Sequence, residues 1–129
     1  MTQIRLKRVY SKAEENDGFR VLVDRLWPRG IKKESFYYNM WNKDITPSYE
    51  LRKLYHDDPV KYWPIFSKKY EEELRKSEAA KKFADKIKNY QTVTLLYASK
   101  DEDHTPAKIL KDYLENTQYS SEDNPFANR

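Results

Sequence analysis

The chain has 129 residues, enough for one domain around one core, with 36% charged and 15% aromatic residues and a formal charge of +4. Two glycines exclude a glycine-rich phosphate cradle or dinucleotide fingerprint, and the absence of cysteine excludes disulfides, thiolate metal sites and a cysteine nucleophile. The positive balance favours anionic partners, yet lysines and glutamates interleave through the middle of the chain, which reads as a solvated helix face rather than a nucleic-acid patch.

From Ile4 to Tyr10 the chain alternates, with Ile4, Leu6 and Val9 set against Arg5, Lys7 and Arg8, and this predicts a first strand. The polar stretch 11–18 ends in Asp17-Gly18, a turn signal. Phe19 to Leu26 reads as a second strand. The two either form a hairpin or run parallel, the latter requiring a short helical turn within 12–16. Residues 28–47 read as irregular, with FYYNMW at 36–41 as an aromatic patch.

A helix is expected to start near Thr46-Pro47-Ser48, where a hydroxyl can cap it and proline suits a first turn. Tyr62, Phe66, Tyr70 and Leu74 then recur every four residues and mark an amphipathic helix. A further helical stretch carries Ala79, Phe83, Ala84 and Ile87. TVTLLYA at 92–98 is an apolar run without charge, as expected of a strand covered on both faces in a parallel sheet. A last helix is read over Ala107–Leu114, and the boundary between domain and polar tail falls at residue 116, leaving 117–129 as tail. Met1–Lys7 is short and polar, and no stretch approaches a membrane span, which points to a soluble cytoplasmic protein without a membrane partner.

In a parallel α/β sheet, ligands bind beyond the carboxyl ends of the strands. Two predicted strands end in unusual chemistry there. LVDRLWPRG, at 22–30, places Asp24, Arg25, Trp27 and Arg29 in sequence, and Tyr97 to His104 leads into a helix start. Arg25 and Arg29 offer forked charge suited to phosphate or carboxylate. Asp24 is a candidate base or a partner for a sugar hydroxyl, with Trp27 as a stacking wall. The plainer alternative is a buried Asp–Arg pair that locks the loop, with Trp27 as a core plug. Ser48 at a helix start and Arg52 four residues on can share one anion, or serve only as cap and surface charge. His104 is a candidate acid or base, with Tyr97 as a polar positioner. DEDH at 101–104 lacks the spacing of a metal site, and no cofactor is implied.

The blocks VDRLWPRG and PS.ELR, with DGFRVL before them and TLLYA.KD..H after, resemble the DUF488 family in its small YeaO-like branch. The match runs from about Ile4 to Leu114. The wider family has an Asp-x-Arg-type strand end and a later strand-loop-helix with a histidine, similar to Asp24-Arg25 and to Leu95–His104 here. Many relatives carry an asparagine-containing stretch after the histidine, where this chain has Thr105-Pro106. The resemblance implies a small Rossmann-like α/β domain, a short, mainly parallel sheet flanked by helices, and no particular activity. Some family members are labelled transcriptional regulators, but no helix-turn-helix with a basic recognition helix is legible in this chain.

Three functions therefore stand as expectations. The first is binding of a small anionic, phosphate- or nucleotide-like ligand at the sheet edge, with Asp24 or His104 in acid–base work if a reaction follows. The second is a nucleic-acid-associated regulator that pairs basic residues with stacking aromatics. The third is a protein-interaction module using the 36–41 aromatic patch.

Overall fold

The run TVTLLY carries no charge, and it forms an interior strand of the sheet, buried on both faces. The structure, a computed structural model, describes residues 1–120. Its strands are β1 (Gln3–Arg8), β2 (Phe19–Leu22), β3 (Met40–Trp41) and β4 (Thr92–Tyr97), and its helices are α1 (Tyr49–Asp57), α2 (Trp63–Lys76), α3 (Glu78–Ile87) and α4 (Pro106–Ser120). The four strands lie in the order β1-β4-β2-β3, every pairing parallel. The fold is thus an α/β layered domain with a parallel sheet, as both the residues and the family resemblance imply. Among the described residues no helix is long and apolar enough to cross a membrane.

The pairing of the first two strands differs from the hairpin alternative. They are parallel, and β4 lies between them. The chain crosses back through a 3-10 turn at Glu15–Asp17 and enters β2 through Gly18, whose φ of 65° is left-handed. An added Cβ at Gly18 would lie 2.2 Å from the Thr92 carbonyl oxygen, so only glycine fits there. The second strand is also shorter than read, ending at Leu22, and β3 arises inside the stretch read as irregular.

Alternation along β4 sorts the two faces. Val93, Leu95 and Tyr97 join Ile4, Val21 and Val23 in the main core, together with Leu51 of α1, Phe66 and Leu74 of α2, Phe83 and Ile87 of α3 and Leu110 and Leu114 of α4. All four helices therefore contribute to one face. The opposite face is covered by irregular chain. Leu22, Leu96 and Val9 pack there against Trp27, Ile31, Phe36, Tyr38 and Trp41. Beside them Asp17 is fully buried, paired with Arg20 and, at 2.8 Å, with Lys7.

Helix ends follow local chemistry. Ser48 caps α1 by accepting from the Leu51 N–H at 3.4 Å, with Pro47 preceding the cap rather than in the first turn. Ser77 closes α2 and caps α3, accepting from the Ala80 N–H at 3.1 Å. The last helix runs past residue 116 to Ser120, and Gln118 on it is buried against Thr2. The rest of the expected polar tail, 121–129, lies outside the described residues.

Candidate functional site

Strands β2 and β4 end side by side, because the Val23 N–H still donates to the Leu96 carbonyl at 3.0 Å. The next residue is Asp24. Its Oδ2 accepts from the Ala98 N–H at 2.9 Å, and its own carbonyl accepts from the Trp41 indole at 2.7 Å. Among the described residues no hydrogen bond reaches its other carboxylate oxygen. Burial pushes the Asp24 carboxyl up to about 6, against the lowering effect of the Ala98 N–H. A carboxyl at that value accepts a hydrogen bond when ionised and donates one when protonated, both near neutral pH.

Tyr55, on α1, reaches over this strand end. Its hydroxyl donates to the His104 carbonyl oxygen, and burial raises its pKa, with the Asp101 and Asp24 charges acting in the same direction. The loop after β4 is folded around Asp101. One oxygen of Asp101 accepts from the Asp103 and His104 N–H groups, each at 3.0 Å, and the other lies 2.8 Å from His104 Nδ1. That histidine contact is the chief reason the Asp101 carboxyl sits below its usual range. With Nδ1 committed to Asp101, Nε2 is the ring nitrogen left for other chemistry. The His104 ring also lies edge-on to Trp63, 5.4 Å between centroids. Arg8, at the end of β1, donates from Nε to the Ser99 carbonyl and from a terminal nitrogen to the Ala98 carbonyl, both at 2.9 Å.

The carboxyl edge therefore gathers Asp24, Tyr97 and His104 from the residues singled out in sequence. Tyr97 is buried, which raises its phenol above the usual value, with Glu102 adding to the effect. Arg25 and Arg29 are exposed on the segment after Asp24, and among the described residues neither forms an ion pair. Asp24 and Arg25 form no ion pair with each other among the described residues. Trp27 lies in the aromatic cluster, edge-on to Phe36, Tyr38 and Trp41 at 5.7, 5.5 and 5.4 Å, with its indole N–H donating to the Ile31 carbonyl. Of the aromatic patch at 36–41, Phe36, Tyr38 and Trp41 are thus half-buried, and Tyr37 stays 58% exposed.

Ser48 and Arg52 belong to a different set of contacts. The Ser48 N–H donates to a Glu73 carboxylate oxygen at 3.0 Å, so an internal carboxylate already faces this helix start. Arg52 donates to the Pro47 carbonyl at 2.6 Å and lies 6.0 Å from the Tyr49 ring centroid. Sequence alone marks none of Tyr55, Arg8 and Ala98, and marks Asp101 only as part of DEDH, set aside as a metal site. Asp101 had a legible signal, an aspartate three residues before a histidine at a helix start. Tyr55 had none, because its partner is 49 residues away. No group of three or more metal-ligating side chains occurs among the described residues.

No solved structure matches this chain. The chain is 47% identical over 111 residues to the uncharacterized protein YeaO of Escherichia coli K12, an alignment covering 86% of this chain and 96% of that protein. It is 38% identical over 113 residues to the uncharacterized protein Rv3073c of Mycobacterium tuberculosis H37Rv, covering 88% of this chain and 94% of the relative. A family model matches residues 3–128, and with the parallel sheet and the strand-end motifs in place, the chain belongs to the DUF488-N3i family, described as the inactive DUF488-N3 subclade.

Proposed function

We propose that this domain binds a small anionic ligand of nucleoside-phosphate type at the carboxyl edge of its sheet and holds it without turnover. The observation that carries the reading is the Asp24 carboxyl, half-buried at a strand end, engaged through one oxygen by the Ala98 N–H and held near 6, with no ion pair among the described residues. A group kept in that state costs the fold stability, as ligand-facing groups commonly do. The exposed guanidinium groups of Arg25 and Arg29, which form no ion pair among the described residues, follow on the same segment and suit a phosphate, while Asp24 suits a hydroxyl or amino donor on the same ligand. The family's description as inactive supports binding over catalysis, which leaves His104 as a contact rather than an acid–base group.

Calorimetric titration with the four common nucleoside monophosphates and with inorganic phosphate tests this. At least one nucleotide is expected to bind, and the double variant Arg25→Ala/Arg29→Ala is expected to weaken it at least about tenfold, the scale of losing charge-assisted contacts. Binding that is indifferent to both arginines and to Asp24→Asn would overturn the reading. Preference for a single-stranded oligonucleotide with a steep salt dependence would instead favour the nucleic-acid alternative.

A further inference from the structure

A hollow of about 790 Å³ lies at the amino edge of the sheet, where β1, β4 and β2 begin at Gln3, Thr92 and Phe19. It is at the opposite end of the strands from Asp24, and its size suits a small ligand. Several of its parts are held by contacts within the fold. The Arg20 side chain donates from Nε to the Tyr37 carbonyl at 2.8 Å. The Arg20 N–H donates to the Asn39 side-chain oxygen, and the Asn39 N–H returns to the Arg20 carbonyl, each at 2.8 Å. Residues 37–39 are thereby pinned to β2, and the exposed Tyr37 ring is held on a rigid support. Phe19 and Tyr90 stack with 4.1 Å between centroids and 11° between planes. Arg5 donates to the Asn16 carbonyl at 3.1 Å, tying the start of β1 to the crossover turn.

Charge decides what such a hollow can hold. One cation, Arg5, and one carboxylate, Glu15, line it. Neither forms an ion pair among the described residues. The remaining polar lining is largely amide, from Gln3, Asn16, Asn39 and Gln91. A nucleic acid needs several cations to replace its counterions, and this balanced lining does not supply them. A zwitterion with a ring matches it. We propose that the amino-edge hollow binds an aromatic amino acid with free charged ends, either alone or as the unit of a short peptide. Arg5 takes the carboxylate and Glu15 the ammonium. Tyr37 and the Phe19–Tyr90 pair face the ring, and the amides complete the hydrogen bonds.

Backbone-amide NMR of the full chain tests this, with L-tryptophan, L-phenylalanine and the dipeptide tryptophyl-glycine as probes and N-acetyl-tryptophanamide as the uncharged control. Saturable shifts are expected at the amides of Phe19, Asn39 and Thr92, with Ala98 unmoved. Capping both ends of the ligand, or making Glu15→Gln or Arg5→Ala, is expected to weaken binding at least about tenfold, the scale of one lost charge-assisted contact. Glu15 is exposed, so its variant folds whatever happens at Arg5. A tighter dipeptide assigns the peptide as the ligand, and a tighter free amino acid assigns the metabolite. Absence of saturable shifts at these amides with every charged probe overturns the proposal, as does a capped ligand that binds as tightly as the free one.

Discussion

Asp24 shows how one residue sets a pH dependence. Its carboxyl moves from an ordinary 3.8 in the unfolded chain to about 6 in the folded one, because burial disfavours the charge. Below the unfolded value both states carry the proton. As pH rises, the unfolded chain ionises first, so stability falls between about pH 4 and pH 6 and stays reduced above that. The linkage amounts to at most about 3 kcal/mol. Asp24→Asn keeps an oxygen for the Ala98 N–H and removes the titration. Chemical denaturation is expected to show the variant more stable than wild type by up to that amount at about pH 8, and nearly equal to it at about pH 4. Equal destabilisation at both pH values would mean that Asp24 acts only as an acceptor for Ala98. Asp24 was legible in sequence because a carboxylate directly after an apolar strand breaks the pattern. Arg8 and Tyr55, which frame the same edge, were not, since Arg8 sits in an ordinary alternating strand and Tyr55 in an ordinary amphipathic helix.

Among the elements, the crossover from β1 to β2 carries the strictest local demands. Gly18 combines a left-handed φ with a close approach to Thr92, whereas Gly30, at φ 76°, has open space around its missing Cβ. Gly18→Ala is expected to cost at least about 3 kcal/mol, combining backbone strain with a clash against a fixed carbonyl. Gly30→Ala carries only the strain, about 1 kcal/mol. Thermal unfolding of the two variants side by side separates the terms, and equal losses would remove the clash from the account. The same crossover holds Asp17, which accepts from Lys7 at 2.8 Å and from the Glu14 N–H at 3.0 Å and pairs with Arg20. Burial pushes its carboxyl up, but these donors outweigh it and hold the group below its usual range, while the hydrogen bond to Asp17 is the chief cause that raises Lys7. Here the sequence pattern misleads. Lys7 and Arg20 look like the solvent side of a half-buried strand, yet Arg20 is 1% exposed. The second face is covered by paired charge and loop aromatics instead of helices, and hydrophobic periodicity cannot register that. A two-residue β3 is likewise too short to show a period.

At the scale of the whole molecule, the two ends of the described chain are clamped together. Gln118 accepts from the Thr2 N–H at 2.8 Å and donates to the Thr2 carbonyl at 3.2 Å, both in buried surroundings. Gln118→Ala leaves that backbone pair without its partner and is expected to cost about 1–3 kcal/mol. Asn116→Ala, on an exposed position of the same helix, is expected to stay within about 0.5 kcal/mol of wild type. Indistinguishable midpoints in urea would show that the clamp is not needed. Composition placed a boundary at residue 116 because the following residues are polar, and a buried glutamine in a helix is indistinguishable by composition from a solvated one. The strand order has a further consequence, for synthesis. β1 sits at the sheet's edge with β4 as its neighbour, and β4 also separates it from β2. A ribosome delivers β1 well before the strand it must pair with, which ends at Tyr97, after three helices have been made. Until then β1 has only the crossover turn to bind, through Lys7–Asp17 and Arg5–Asn16, and Ile4 lacks the β4 side of its core. Nascent chains therefore pass through a long stage in which assembly cannot begin at the first strand, and this is when holding factors and proteases have most access to them.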